Sequence, residues 1–398
     1  MLTKFLIRTF IPVLAFAAVG TTMPAAAAPR YKVLHAFGSG RDGAGLYGGL
    51  VLDQHGNVYG DTSGGGNYGY GTVFQLSLGT NGGWREKVLR SFRNNDPRGD
   101  DFNGTPALDG DGNLYVAASS GGGAAKNGTI FELMPDSRGW ELKVLHRFKA
   151  GGGEDADGGV VMDKAGNLYG AAFKLSPGDN GWKLAALHKF PSYQGDGVDA
   201  YAVPIFDVTG KLYGTTQHGG RSSRCDGGCG TVYQLTPEQD GKWKETILHS
   251  FSAHRDGAFP GLGALAIDTA GNLYGTTTSG TIFELTPESD GHWKFTILYI
   301  ITGGASGDEP GAGVVLDKAG NLYGTTIAGG SPDCDCGVVY RLAPQTNGRW
   351  TYTVLHTFVG SDGAQPDANL ILDDKGNLYG TTATGGAGGY GVAFELTP

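Results

Sequence analysis

The 398-residue sequence has few charged residues, and the charge that it has is mostly negative. Asp, Glu, Lys and Arg together make up 17% of the chain, and the formal net charge at pH 7 is -9. Proteins that bind nucleic acid or anionic lipid depend on clustered Lys and Arg to neutralise phosphates. The composition therefore argues against a nucleic-acid partner.

Catalytic motifs and helical periodicity are also missing. The sequence has no Gly-x-Ser-x-Gly, no His-Glu-x-x-His and no Walker loop, and its glycine-rich stretches lack the Gly-Lys-Ser/Thr that holds phosphates. No segment after residue 27 repeats its apolar residues with a helical period. The enzyme classes that carry those motifs lose support, no cofactor is expected, and the expected fold class is all-β.

Cysteine is scarce, with two pairs, Cys225 with Cys229 and Cys334 with Cys336. In an exported protein such local pairs favour disulfides. The short Cys-x-Cys spacing strains a bridge, which leaves a free thiol pair as an alternative. The spacings match no common zinc pattern, so we expect no metal at the cysteines or elsewhere.

The longest apolar run lies near the N-terminus. Lys4 and Arg8 precede apolar residues 10–19, and alanines follow at positions 25–28. This order predicts a secretory signal peptide over residues 1–27 and a mature chain over residues 28–398. The apolar run is too short to span a bilayer as an anchor. We therefore expect an exported protein, periplasmic or extracellular, without a transmembrane anchor.

Glycine, in contrast, is abundant, with 72 residues, and much of it belongs to a repeat. The phrase Asp-x-x-Gly-Asn-Leu-Tyr-Gly recurs seven times with small variations, and successive copies are on average about 53 residues apart. The tyrosines of the seven copies are Tyr59, Tyr115, Tyr169, Tyr213, Tyr274, Tyr323 and Tyr379.

Each repeat contains four short segments of β-rich character. In the fifth repeat these segments, named a to d, are residues 263–268, 272–277, 280–285 and 293–298. Asp268 and Gly271 suit a tight a–b hairpin, because Asp bonds nearby backbone N–H groups and Gly takes a positive φ. Four antiparallel strands per repeat predict that residues 28–398 form a single seven-bladed β-propeller domain.

Two features of the repeats concern the ends of the chain and the third copy. Residues 31–37 resemble a d strand, whereas the last repeat stops at Pro398, just after its c strand. We therefore expect the N-terminal strand to complete the last blade, which closes the ring without a free edge. In the third repeat the b segment runs directly into the c segment after Tyr169, so this blade is expected to be irregular.

The repeats also resemble a known family. The run Gly-Asn-Leu-Tyr-Gly-Thr-Thr, then Gly-Gly, then Gly-Thr-Val-Phe-x-Leu-Thr-Pro, best seen at residues 214–237 and 380–398, resembles the GloVer tandem repeat of bacterial choice-of-anchor proteins. The resemblance covers the mature chain and implies an exported protein with no established activity. The Asp-x-x-Gly-Asn-Leu-Tyr part is also similar to NHL-type propeller repeats.

The d–a and b–c loops of a propeller emerge on one face, and we place the candidate binding residues there. They are His218, Arg221, Arg224, Asp226 and Asp335 in b–c loops and Asp196, His254, Arg255 and Asp256 in d–a loops. For the Asp residues the alternative is turn formation. The His that recurs in strand d is replaced by Arg90 and Tyr299 in sister repeats, which indicates packing.

Two functions remain open on this basis. The first is a non-catalytic, monomeric binding module that recognises a glycan or a protein with its loop face. The alternative is a hydrolase or lyase that acts on an extracellular polysaccharide, with acid and base drawn from Asp196, Asp256 and His254.

Overall fold

The computed structural model describes residues 28–38, 40–94, 96–99, 101–122, 127–149, 158–190, 195–261 and 263–398. The predicted signal peptide lies outside the described residues, as does the acidic run at residues 154–157. Within these ranges the chain forms β-strands and one short 3-10 turn, Gly304–Ser306. None of the described segments is a helix with the length and apolar character needed to cross a bilayer.

Seven four-stranded antiparallel sheets stand in a ring, so the protein is a seven-bladed β-propeller, as the repeats predict. The chain begins with β1 (Arg30–Ala36). The first three blades follow in chain order as β2 (Val51–Leu52), β3 (Val58–Thr62), β4 (Thr72–Leu78) and β5 (Trp84–Ser91); β6 (Ala107–Leu108), β7 (Leu114–Ala118), β8 (Thr129–Asp136) and β9 (Gly139–Arg147); and β10 (Val161–Met162), β11 (Leu168–Tyr169), β12 (Phe173–Ser176) and β13 (Lys183–Ala186).

The fourth blade carries an additional small sheet, in which β14 (Gly197–Val198) pairs with β17 (His218–Gly219). Its own strands are β15 (Ile205–Phe206), β16 (Leu212–Thr216), β18 (Thr231–Pro237) and β19 (Trp243–Ser250). The last three blades are β20 (Ala266–Ile267), β21 (Leu273–Thr276), β22 (Thr281–Pro287) and β23 (Trp293–Ile300); β24 (Val315–Leu316), β25 (Leu322–Thr326), β26 (Val338–Pro344) and β27 (Trp350–Thr357); and β28 (Ile371–Leu372), β29 (Leu378–Thr382) and β30 (Val392–Thr397) with β1.

The two ends of the chain close the ring as expected. β1 pairs antiparallel with β30, from Arg30 opposite Thr397 to Ala36 opposite Val392. The sheet order of the last blade is β1-β30-β29-β28, so the first strand of the chain is the outermost strand of the seventh blade. The N-terminal strand thus takes the place of strand d in the seventh blade.

The innermost strands are shorter than the sequence predicts. In the fifth blade only Ala266–Ile267 pairs as strand a, whereas the prediction began at residue 263. The residues before the strand approach the neighbouring blade instead. The approach is so close that a side chain at Gly263 would collide with the backbone of Gly313. The close approach of the blades at the axis thus leaves little room for inner-strand pairing.

The repeated Asp fixes the hairpin between strands a and b. In the fifth blade Asp268 Oδ1 accepts bonds from the backbone N–H groups of Ala270 and Asn272, each at 2.9 Å. Its Oδ2 accepts bonds from the Asn272 side chain at 2.8 Å and from the Tyr274 hydroxyl at 3.1 Å. Gly271 has a φ of 87°, as the turn requires. This network explains why Asp, Gly, Asn and Tyr recur together.

The signature Tyr also joins neighbouring blades through the Trp that introduces strand d. Tyr213 meets Trp293 with ring centroids 5.9 Å apart, and Tyr59 meets Trp140 at 6.2 Å. Around these contacts, apolar clusters combine side chains of two adjacent blades, as with Phe92 of the first blade and Phe131 of the second at 5.4 Å. The core is therefore a series of interfaces between sheets rather than one central cluster.

The third blade is irregular, as predicted. Only three residues separate β11 from β12, and its four strands have two, two, four and four residues. The blade keeps the antiparallel order β10-β11-β12-β13. Without an extended b–c loop, it contributes less to the loop face than its neighbours do.

Candidate functional site

In every blade except the third, whose d–a loop lies largely outside the described residues, a repeated backbone conformation holds the d–a loop against the b–c loop of the same blade. Asp199 in the fourth blade has a φ of 61°, and its carbonyl oxygen accepts a bond from the Gln217 N–H at 3.0 Å. Four further blades place a non-glycine residue with a positive φ at this position, namely Asp101, Phe259, Glu309 and Gln365. The residues that follow each of these positions lead into strand a at the channel.

These following residues line a cavity of about 510 Å³ at the mouth of the channel. The polar and aromatic side chains in its wall are Tyr47, Asn103, Thr105, Tyr201, Gln217, Asp367 and Asn369. Neither Lys nor Arg belongs to the described lining. The cavity therefore offers two aromatic rings, several side-chain amides and one carboxyl group.

The fifth and sixth blades give the channel a different surface, because they carry glycine at positions where other blades carry the side chains that line the cavity. Gly263 and Gly313 contact each other too closely for a Cβ at Gly263. Asn369 of the seventh blade reaches this region, and its Oδ1 accepts a bond from the Gly313 N–H at 2.9 Å. This bond fixes the orientation of the Asn369 amide in the cavity wall.

Among the described residues, two buried carboxyl groups near the channel each have at least one oxygen without a hydrogen-bonding partner. Burial raises the pKa of Asp367, whose Oδ1 is unpartnered. Burial also raises the pKa of Asp61 well above its usual range, and both of its oxygens are unpartnered. In the fifth blade the residue equivalent to Asp61 is Thr276, whose hydroxyl donates a hydrogen bond to the Ala312 carbonyl of the next blade at 2.7 Å. Asp61 can make that bond only when it is protonated.

The structure places His218 at the rim of the cavity, beside Gln217. Its Nδ1 lies 2.8 Å from Asp199 Oδ2, and its ring meets the edge of Phe259 at 5.4 Å. Arg221, Arg224 and Asp226 follow on the same b–c loop as exposed residues that are not part of the cavity lining. Of the predicted residues on this loop, His218 lies nearest to the channel.

The predicted acidic residues of the d–a loops take part in a repeated contact with strand d. Asp196 Oδ2 lies 3.2 Å from His188 Nε2, and Asp256 Oδ2 lies 3.2 Å from His249 Nε2. Asp42 with His35 and Asp362 with His356 form the same pair. Asp256 also accepts the Ser252 N–H at 3.0 Å, as a turn-forming Asp does. His254 and Arg255 are exposed beside it.

All four cysteines form the predicted local disulfides, Cys225 with Cys229 and Cys334 with Cys336. The first closes the b–c loop that carries Arg224 and Asp226. The second closes the corresponding loop of the sixth blade, where Asp335 Oδ1 accepts a bond from the Gly329 N–H. Each bridge thus shapes a loop on the candidate face.

Sequence reasoning missed the residues that line the cavity. Tyr47, Tyr201 and Asp367 each lie two residues after the position with positive φ, whereas the fifth and sixth blades have Gly261 and Gly311 there. Aligning the repeats on strand a shows this variable column. A position that differs among repeats of one scaffold is where a specific site is expected.

The fold and this cavity define a repeat β-propeller with a polar, aromatic site at its channel mouth. Residues 20–181 and 277–398 match the family model of the Gloeobacter/Verrucomicrobia repeat, and the chain belongs to this family. The match confirms the resemblance stated from the repeats. The stretch between the two matched segments, residues 182–276, includes His218, Asp196 and the first disulfide.

Solved structures with a similar shape include two proteins of low sequence identity. A luciferin-regenerating enzyme is 16% identical, with a TM-score of 0.43, over 74% of this chain and 91% of that chain. A protein from Thermus thermophilus named as a putative oxidoreductase (glucose dehydrogenase) is 14% identical, with a TM-score of 0.47, over 93% of this chain and all of that chain. No curated protein matches the sequence.

Proposed function

We propose that this propeller is an exported, non-catalytic binding protein whose channel mouth recognises an uncharged glycan. The observation that carries the proposal is the cavity of about 510 Å³ that contains Tyr47 and Tyr201 together with side-chain amides. Small-molecule sites typically occupy roughly 300–1,000 Å³ and combine aromatic walls with a few placed polar groups. A short stretch of sugar residues fits these requirements.

The chemistry of the wall favours carbohydrate over other small ligands. Tyrosine rings provide flat apolar surfaces for the C–H faces of sugar rings, and their hydroxyls remain able to bond. Amides such as Asn103 and Gln217 both donate and accept, which suits the hydroxyl groups of a sugar. Because Lys and Arg do not occur in the described lining, anionic sugars lack a counter-charge.

The carboxyl groups favour binding without catalysis. Glycosidases ordinarily use two carboxyl groups across the bond that is cleaved. Among the described residues that line the cavity, Asp367 is the single carboxyl-bearing side chain. Asp196 and Asp256 are each bonded to the imidazole of a strand-d His instead. The two disulfides support export, because such bonds persist in oxidising compartments.

A glycan array followed by calorimetry with the best ligand tests this proposal. Tyr47→Ala and Tyr201→Ala are expected to weaken binding at least about tenfold, since each removes a stacking surface. Tyr390→Ala is the matched control, because Tyr390 is 43% exposed and Tyr47 is 44% exposed, but Tyr390 does not line the cavity.

Either of two results overturns the proposal. One is an array without any bound glycan, and the other is a bound glycan whose affinity is equal in the cavity variants and the wild type. Cleavage of the bound glycan by the wild-type protein supports the polysaccharide-acting alternative instead.

A further inference from the structure

One position on the outer strands links each blade to the one before it. It lies two residues after the Trp that introduces strand d, or at Tyr31 in the N-terminal d strand, and its counterpart on the preceding blade is the strand-d position where His recurs. At three junctions the two rings stack: Tyr31 on His356 at 3.8 Å, Phe295 on His249 at 4.1 Å and Tyr352 on Tyr299 at 4.6 Å. An aromatic side chain is therefore the most frequent occupant.

At the junction of the third and fourth blades this position is Glu245, so a carboxylate replaces the ring. Glu245 Oε2 lies 3.7 Å from His188 Nε2, and that nitrogen lies 3.2 Å from Asp196 Oδ2. The three ligand atoms all lie within 4.8 Å of one another. Glu245 Oε1 is buried and has no hydrogen-bonding partner among the described residues.

We propose that His188, Asp196 and Glu245 form a binding site for a divalent transition metal ion, with zinc as the best fit. One imidazole nitrogen and two carboxylate oxygens are ligands that zinc accepts at about 2.0–2.2 Å, so tetrahedral ligand atoms stand about 3.3 Å apart. The His188–Asp196 separation of 3.2 Å meets this requirement, and the His188–Glu245 separation of 3.7 Å is slightly longer. Three protein ligands leave a fourth position for water or for a group from a partner.

The burial of the three side chains suits a resident ion. His188 is 20% exposed, Asp196 is 24% exposed and Glu245 is 13% exposed. Two carboxylates that face each other away from bulk water repel unless a cation or a proton lies between them. A metal ion neutralises both and also bonds the imidazole, whose Nε2 is directed at them.

Sister junctions show what makes this one different. His249 and Asp256 form the same imidazole–carboxylate contact, but Phe295 covers the imidazole and no third ligand is present among the described residues. At the junction of the seventh and first blades the position is Glu86, whose pKa is raised by burial and by the negative charge of Asp42. In the described part of the chain, however, only the His188 group brings three potential ligands within 4.8 Å.

The ion has a structural consequence for the irregular third blade. His188 follows β13, the four-residue outer strand of that blade, and Glu245 lies on β19 of the fourth blade. A shared metal ion links these outer edges directly, where β12 and β13 pair over four residue pairs and the outer strands of the fourth blade pair over seven. Because metal binds the folded arrangement of ligands, it stabilises the folded protein by mass action.

Calorimetry on the chelator-treated protein tests the site with zinc chloride, magnesium chloride and calcium chloride in turn. We expect one zinc ion per chain and no comparable binding of magnesium or calcium. Glu245→Gln removes a ligand and is expected to lower zinc affinity at least about tenfold. Glu245→Phe copies the sister residue Phe295, so it should abolish binding while preserving the packing of the junction.

Asp256→Asn is the matched control, because it alters the same His–Asp contact one blade further on and should leave zinc affinity unchanged. Anomalous diffraction at the zinc edge should place the ion between the three side chains. The proposal fails if the wild type binds no zinc, which is the result expected when Asp196 and Glu245 merely share a proton. It also fails if both Glu245 variants bind zinc as the wild type does, or if Asp256→Asn loses binding equally.

Discussion

His218 and Asp199 are joined by a contact of 2.8 Å between Nδ1 and a carboxylate oxygen, and they connect two loops at the rim of the channel. Asp199 also accepts the N–H of Gln217 through its carbonyl oxygen, so this residue fixes the b–c loop by both its side chain and its backbone. The side chains of His218 and Asp199 are 32% and 36% exposed. Solvent therefore weakens the ionic part of the contact.

We expect His218→Ala and Asp199→Gly to be energetically coupled. Glycine suits position 199 because its φ is 61°, and Gly45 occupies the equivalent position of the first blade with a φ of 70°. A double-mutant cycle by chemical denaturation should give a coupling of about 0.5 kcal/mol, as for a partly exposed pair.

His254→Ala combined with Asp199→Gly is the control cycle, because His254 lies in a different loop. It should show additive changes in the free energy of unfolding. Additivity in the His218 cycle as well would show that the contact does not stabilise the rim.

The buried Asp61 is expected to reduce stability at neutral pH. Its pKa in the folded protein lies well above the ordinary value of 3.8, because burial disfavours the charged form. The unfolded chain releases the proton more readily, so stability is lost as the pH rises above 3.8 towards the folded pKa. Asp61→Thr should therefore raise the free energy of unfolding at pH 7 by about 1–3 kcal/mol.

Threonine is the appropriate replacement because Thr276 makes the corresponding bond to the next blade. The gain should be smaller at pH 3, where Asp61 is protonated in both states. Denaturant midpoints at the two pH values measure this difference. An equal gain at both pH values, or a loss at pH 7, would contradict the assignment.

Asp317 should show the opposite dependence on pH. Partial burial acts to raise its pKa, but hydrogen bonds from Asn321, Tyr323 and the Ala319 N–H outweigh it and lower the pKa. Its contribution is therefore complete above the unfolded value of 3.8 and is lost as the pH falls through the folded pKa. Asp317→Ala should cost about 1–2 kcal/mol at pH 7 and less in acid, as read from urea denaturation.

The control for this variant is Asp374→Ala, because Asp374 is exposed in the equivalent hairpin of the seventh blade. It should change the free energy of unfolding by less than about 0.5 kcal/mol. If Asp317→Ala changed the free energy of unfolding as little as this control, the hydrogen bonds of the hairpin would not make the stabilising contribution assigned to them.

The repeat made most of the fold predictable. Because Asp268, Gly271 and Tyr274 satisfy one another within a single hairpin, their spacing carries the a–b turn in every copy. The length of strand a was not predictable, since the approach of one blade to the next limits it. The Gly after the signature Tyr leaves room for an aromatic ring, because a Cβ on Gly60 would meet the ring of Phe74 in strand c.

The candidate site was less accessible from the sequence. The repeat assigns Asp196 and Asp256 to d–a loops and His218 to a b–c loop, and their role in binding stays a prediction. The cavity itself was missed, since Tyr47 and Tyr201 are separated by about three repeats and meet only when the ring closes. Glu245 could have been recognised in the sequence, because it is a charged residue at a repeat position where Tyr31, Phe295 and Tyr352 are aromatic.

Because β1 pairs with β30, the first strand of the chain joins its sheet only after the last strand is present. Arg30–Ala36 has its hydrogen-bonding partner in residues 392–397, so this ladder forms only after those residues have been synthesised. A chain interrupted before Val392 leaves β1 without its hydrogen-bonding partner. Synthesis of residues 392–397 is thus a condition for assembling the seventh blade.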